Sequence, residues 1–343
     1  MRNLFTIIFI LSCSYCFGQK NYLPYKMISE GKNSDFRFPI FSDSTDTLTA
    51  KKINQLLQLS ELQILKGHEK KNIFEVVGPS EGSLIDGMVE ITGKVFFNTN
   101  KVLSIQFNES SCGGACFYWV NYYNFNTGNG DIIQLRDLFT SEGYNDFYKM
   151  VAKKRIAQLH HEVAKLKKEV KDDFDEDITA SYYRSDSLKD FYIQDTCLYI
   201  DGFNCLPKQD KADGIETVCK FRLSEFVSCL NDYGKCVFNL NQDSIATYHF
   251  YNSLPQIFYG TIGTQKVALA FFGNGESYYA YLKYGMAIKM YGRLKGNKVE
   301  LSLKDEDDNN IESIETILNG NQITGVWYNK GKTKSLPVNL LRQ

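Results

Sequence analysis

The sequence predicts an α+β protein, an N-terminal mixed sheet carrying a long packed helix, joined to a small C-terminal antiparallel β sandwich or barrel. Three observations predict it. Residues 142–170 place apolar side chains three or four apart over one long run. Around that run, short segments alternate apolar and polar residues between turn signals. From about Ser244 onward cysteine disappears and short strands recur at regular spacing.

At 343 residues, two domains are expected rather than one. With 43% hydrophobic and 14% aromatic residues, each can bury a core. The boundaries read from the texture are 1–18, a signal peptide; 19–243, the α+β domain; and 244–343, the all-β domain.

The first segment starts with Met1-Arg2-Asn3 and continues as an apolar run from Leu4 to Leu11. Cys16-Phe17-Gly18 then offers small residues for a cut before Gln19. This is the pattern of an export signal, and it is too short to span a bilayer. Ile10-Leu11-Ser12-Cys13 is a loose lipobox, so lipid anchoring at Cys13 is an alternative ending. The expected location is therefore outside the cytoplasm: periplasm, cell envelope or medium. No later segment is apolar enough to span a membrane after signal removal.

Extended chain follows around Tyr25–Ser29 and Phe36–Phe41. A helix starts near Thr49, capped by Asp46 or Thr47, with Ile53, Leu56, Leu57 and Ser60 on one face. Val89–Asn98 and Val102–Asn108 read as a hairpin about Asn98-Thr99-Asn100. Phe117–Asn126 is an aromatic strand, Thr127-Gly128-Asn129-Gly130 a turn, and Asp131–Leu135 a further strand. The long helix, residues 142–170, carries Tyr144, Phe147, Val151, Leu159, Val163, Leu166 and Val170 on its stripe, which Arg155 interrupts. Lys171–Asp177 is expected to be an acidic loop. Phe191–Ile200 and Ile215–Phe221 are strands, and Leu223–Leu230 is a short helix. Seven strands then follow: Ile257–Ile262, Lys266–Phe272, Tyr278–Tyr284, Ala287–Leu294, Lys298–Leu303, Ile311–Leu318 and Gln322–Tyr328, parted by Gly-Asn and Asn-Gly turns.

Seven cysteines follow the signal: Cys112, Cys116, Cys197, Cys205, Cys219, Cys229 and Cys236. In an oxidising compartment all are disulfide candidates, and the segment from Cys197 to Cys236 is expected to be stapled. Connectivity does not follow from spacing, and an odd number leaves at least one thiol over.

Residues 25–235 resemble the extracytoplasmic domain of RsiV-type anti-sigma factors, also found beside the catalytic domain of PdaC-type peptidoglycan deacetylases. The matching pieces are Phe38-Pro39, Ile53-Asn54, Leu103-Ser104-Ile105, Gly113-Gly114-Ala115, Tyr123-Asn124-Phe125-Asn126-Thr127-Gly128, Ile133-Gln134-Leu135-Arg136-Asp137-Leu138-Phe139, Asp190-Phe191-Tyr192-Ile193 and Leu198. Where that family has Gly-Gly-Ala-His-Gly, this chain has Gly113-Gly114-Ala115-Cys116-Phe117, so a disulfide from Cys112 to Cys116 is expected in place of the histidine. The resemblance implies recognition of an envelope partner, either a lysozyme-like hydrolase or peptidoglycan, rather than chemistry. The expected contact residues are Gly113, Gly114, Cys116, Tyr118 and Trp119.

The charged groups exclude several classes. With 39 basic and 40 acidic side chains, there is no basic stripe for nucleic acid. His160-His161-Glu162 lacks the His-Glu-x-x-His spacing of a zinc site, because Lys165 stands where the second ligand belongs. The runs Asp172–Asp177 and Asp305–Asn310 lack the Gly and Glu of an EF-hand loop. No nucleophile elbow or phosphate loop is present. No metal, cofactor or catalytic residue is therefore assigned, and the protein is read as a binding protein, not an enzyme. The alternative is a cell-wall hydrolase or deacetylase whose site is assembled from distant residues, such as a carboxylate with His68, His160 or His249. Two aromatic groups, Phe117–Tyr123 and Tyr278–Tyr284, must each send some rings away from their own core, because successive strand residues face opposite sides.

Overall fold

The fold is known from a computed structural model, which describes residues 23–30, 35–42, 47–69, 72–77, 88–166, 174, 176–212, 214–248, 256–272, 275–304 and 309–342. The expected signal segment, His249, and residues 172, 173, 175 and 305–308 of the two acidic runs lie outside these residues.

Strands β1 (Tyr25–Glu30) and β2 (Phe36–Phe41) pair antiparallel, and β2 then runs parallel to β3 (Met88–Asn98). A parallel pair needs a long crossover, and this one carries α1 (Thr47–Glu61). β3 continues through β4 (Val102–Cys112) to β5 (Cys116–Asn126) as an antiparallel meander, giving the order β1-β2-β3-β4-β5. The sheet is therefore mixed, as its sequence predicts.

The second half is a closed barrel. β9 (Gln256–Ile262), β10 (Gln265–Phe272), β11 (Glu276–Tyr281), β12 (Ala287–Lys295), β13 (Lys298–Lys304), β14 (Asn310–Asn319), β15 (Gln322–Asn329) and β16 (Ser335–Arg342) pair antiparallel in sequence order, and β16 returns to β9. Closure removes both edges, which decides between barrel and sandwich. Val267, Leu269, Tyr279, Met290, Leu301, Ile323 and Leu340 fill the interior.

Between the two halves, β6 (Phe191–Gln194), β7 (Cys197–Asp201) and β8 (Val218–Arg222) form a three-stranded sheet. It packs with α2 (Ser141–Leu166), α4 (Leu223–Phe226) and α5 (Asp232–Val237) in a core built on Val102, Phe147, Val151, Leu198 and Phe221. Helix α3 (Glu176–Ser185) closes the far end of α2 against Leu159 and Val163.

The five-stranded sheet is thus covered on both faces. Ile105, Phe107, Tyr123 and Phe125 share one core with Ile53, Leu56 and Leu57 of α1. That core continues into Ala268, Ala270, Tyr278 and Ala280 on the outer wall of the barrel. Residues 267–272 of β10 are all buried, because alternate side chains face the barrel interior and α1. The alanines on the outer wall let the helix approach closely. At one edge of this contact, Asp131 accepts from Lys52 of α1 and from Arg342 of β16, the latter at 2.7 Å. The three side chains are only 7–10% exposed.

Several elements differ from expectation. Asp131–Leu135 is not a strand: only Ile132 bridges to Phe125 before a 3-10 turn at Leu135–Leu138. Asp137 draws that turn in by accepting from the Gln134 N–H at 2.8 Å. Asp177 belongs to α3, whose first turn carries Glu176 and Asp177, suited to a helix N-terminus. Phe191–Ile200 is two strands, folded back at Asp195, which adopts a φ of 53°. An eighth barrel strand, β16, was hidden by Pro337, which cannot donate to a ladder. Its carbonyl still accepts from the Gly263 N–H at 2.8 Å. Arg155 does not break the α2 stripe but is buried on it, paired with Asp186 at 2.6 Å and lying against the Tyr183 ring. Cys112 and Cys116 are bonded. The expected staples from Cys197 to Cys236 are absent: Cys197, Cys205, Cys219, Cys229 and Cys236 carry free thiols. Burial pushes the Cys205 and Cys219 thiols up to about 12 and 11, so they are inert as thiolate nucleophiles.

Candidate functional site

A cleft of about 780 Å³ opens where the end of α1, the β4–β5 hairpin and the barrel wall meet. Its second arm runs past Arg136, Tyr144 and Lys189 toward Asp190 and Asn204. Strand register builds the deep end. Glu109 stands opposite Trp119, Phe107 opposite Asn121, and Ile105 opposite Tyr123. Odd residues of both strands therefore face α1 and the barrel, and Glu109, Trp119, Asn121 and Tyr123 line the cleft. Helix α1 adds Ser60 and Glu61 from its last turn. The barrel adds Phe272, Glu276, Tyr278 and Lys289.

Two buried carboxyls lie at the centre, Glu61 at 4% and Glu109 at 6% exposure. Glu61 Oε1 accepts from Ser60 Oγ at 2.9 Å and from the Tyr123 hydroxyl. Asn121 Nδ2 donates to Oε2 of both glutamates, at 3.3 and 3.4 Å. The Trp119 indole N–H donates to Glu109 Oε2. Burial, and then the Glu61 carboxylate beside it, holds the Glu109 carboxyl far above the usual range. The same two causes push the Tyr123 hydroxyl up. Lys289 is drawn toward Glu276 at 2.8 Å on the rim. In the second arm, burial pushes Asp190 up to about 6, and its Oδ2 accepts from Asn204 Nδ2 at 2.8 Å.

Of the residues expected to make contacts, only Trp119 lines this cleft. Gly113, Gly114 and Cys116 form the tip of the β4–β5 hairpin, closed by the Cys112–Cys116 bond. Neither glycine has positive φ, and open space surrounds the position of an added Cβ. That turn therefore does not depend on glycine at either position. Phe117 and Tyr118 are exposed beside the tip. Lys208 sits 3.6 Å from the Phe117 ring centroid, and Lys211 donates to the Tyr118 carbonyl at 2.6 Å.

The described histidines do not converge on the carboxyls. His160 pairs with Glu176 on the outside of α2, and His68 packs at Gly285. Among the described residues, no three of His, Cys, Asp and Glu gather as a metal set, and no helix is long and apolar enough to cross a membrane.

Glu61 and Glu109 were passed over, yet each carried a signal. Glu61 stands one turn after Leu57 on the apolar face of α1. Glu109 extends the alternation Leu103-Ile105-Phe107 by one step. A charge in register with an apolar pattern is the mark of a buried polar site.

No family model matches the chain, and no curated protein matches it. Among solved structures it is similar to a member of the DUF3298 family from Bacteroides fragilis. The two share 11% identity with a TM-score of 0.43, over 66% of this chain and 100% of that one. The similarity is to that family by name, and the name states no ligand.

Proposed function

We propose that this is an exported cell-envelope protein that binds a neutral, hydroxyl-rich chain, a cell-wall glycan, in the cleft between α1, the β4–β5 hairpin and the barrel. One observation carries the reading: the half-buried Trp119 stands among Tyr123, Tyr278, Asn121 and Asn204 along a continuous cleft. Aromatic faces beside amide and hydroxyl groups suit stacking on a sugar ring with hydrogen bonds to its edges. The export pattern of residues 1–18 and the RsiV-type and PdaC-type resemblance support the same compartment and ligand class.

Cell-wall hydrolysis is the second reading, favoured by the Glu61–Glu109 pair. Glycosidases hold their two carboxyls at least ~5 Å apart, with the scissile bond between them. Here the Asn121 amide is wedged between the two carboxyls, 3.3 Å from Glu61 Oε2 and 3.4 Å from Glu109 Oε2, where that bond would have to lie, which favours binding.

The test uses the two tryptophans, Trp119 and Trp327. Trp327 lies inside the barrel wall, so Trp327→Phe leaves Trp119 as the reporter. Soluble peptidoglycan fragments should shift its emission saturably, Trp119→Ala should abolish binding in calorimetry, and no reducing ends should be released. Silence toward glycan alongside capture of lysozyme would move the ligand from sugar to protein.

A further inference from the structure

The hydrogen-bond inventory at the deep end of the cleft is one donor short. Glu61 accepts from Ser60, Tyr123 and Asn121. Glu109 Oε2 accepts from Trp119 and Asn121. Glu109 Oε1 is shielded from solvent and has no hydrogen-bond partner, and its carboxyl shares the Asn121 amide with Glu61. A buried acceptor without a donor costs about 1–3 kcal/mol, and more when charged. Two adjacent buried carboxylates add mutual repulsion.

The other groups do not fill the gap. From α1 the facing groups are Ser60 and Glu61. From β5 they are Trp119, Asn121 and Tyr123, and from the barrel Glu276, Tyr278 and Lys289. Lys289 is the cation among them, and it is paired with Glu276 at 2.8 Å rather than with either carboxyl. Tyr278 and Glu276 are acidic or neutral. A single proton on Glu109, facing the Glu61 carboxylate, removes both the orphaned acceptor and the repulsion.

We infer that Glu109 holds a proton against the Glu61 carboxylate as a latch joining α1 to the β4–β5 hairpin, so that the cleft holds its binding shape only while that proton is present. The inference rests on the cleft being the binding site, and it supplies the regulation of that site. Loss of the proton sets two like charges side by side in the wall between the two halves. The end of α1 and the β4–β5 hairpin then move apart and the cleft loses its shape. Because folding and binding both retain the proton, each weakens as pH rises through the latch.

The test is a pH titration of Trp119 emission in the Trp327→Phe protein, since the Trp119 indole donates to the latch itself. One step is expected, above the ordinary carboxylate range. Adding Glu109→Gln, which keeps an amide donor in the same place, should remove the step. Glu61→Gln should lower it, because one cause of the displacement is gone. Affinity for soluble peptidoglycan fragments should fall by up to tenfold per pH unit above the step, and should be flat with pH in Glu109→Gln. A flat emission profile between pH 4 and about 9, or a step that survives Glu109→Gln, would overturn the latch. A step without glycan binding at any pH would leave the latch standing and remove the glycan reading instead.

Discussion

Asp131→Asn is the most informative single substitution in the contact between the two halves. Asp131 holds Lys52 of α1 and Arg342 of β16, all three nearly buried. Asparagine keeps the shape and removes the charge, leaving two cations facing one another in a wall that excludes water. Removing one partner of a buried ion pair costs about 3–5 kcal/mol. Unfolding entropy of about 2 cal/mol/K per residue gives ~0.7 kcal/mol/K for the chain, so a loss of about 4 kcal/mol lowers Tm by about 6 °C. The pH dependence carries a second signature. Burial already lowers the Lys52 pKa, and Asp131 pulls it back up. Without Asp131 the lowering is unopposed, and a lysine whose folded pKa lies below its unfolded one gains stability as pH rises between the two. The Tm deficit should therefore shrink from neutral pH toward about pH 10. Replacing the whole triad, Lys52→Met with Asp131→Leu and Arg342→Met, should recover most of the loss, because apolar groups of like volume substitute well for a buried ion cluster. Scanning calorimetry from neutral pH upward measures all three. A deficit under ~1 °C, a deficit flat with pH, or a triple variant weaker than the single one would refute the reasoning.

Three further outcomes are expected. Gly143→Ala should destabilise strongly in urea, since its Cβ would lie 2.1 Å from the Cys229 carbonyl oxygen, whereas Gly113→Ala, with open space around it, should change stability by less than about 0.5 kcal/mol. The double change Cys112→Ser with Cys116→Ser should cost about 2 kcal/mol, the loop-closure value for so short a ring, and should leave glycan binding intact; a urea midpoint that is unmoved, or lost binding, contradicts this. Asp190 is pushed up to about 6 by burial, so the folded state holds that proton more tightly than the unfolded chain. Its share of stability is complete at low pH and is lost between about pH 4 and 6. With Asp190→Asn, the Tm should fall less over that interval by the equivalent of ~3 kcal/mol, read from melts across it.

Much of the fold was legible because its faces are regular. α1, α2 and seven of the eight barrel strands show enough of period 3.6 or period 2, or of a short apolar run between turns, to be placed, although Arg155 stands on the α2 stripe. What escaped is where a local rule was overruled by distant contacts. Pro337 forbids a donor, yet β16 keeps its place through its carbonyl and its closure of the ring. Asp131 looked like a strand residue and instead serves Lys52 and Arg342, far off in the chain. The site was less legible than the fold. The aromatic groups were noticed, and Trp119 was chosen, but its partners Glu61, Glu109, Tyr278 and Lys289 belong to four separate elements. Only the registry of the sheet and the docking of the barrel bring them within reach of one another. The glycine tip drew attention by its composition, while the polar groups gathered in the cleft were those hidden within apolar patterns.

Barrel closure also orders events during synthesis. β9 must wait for β16 as its second neighbour, so the ring cannot seal until residues 335–342 have left the ribosome. Arg342 reaches Asp131 only then. Until that moment the nascent N-terminal half lacks the cover that Phe272 of the barrel wall gives Tyr123, a sticky surface that a holding chaperone would need to shield.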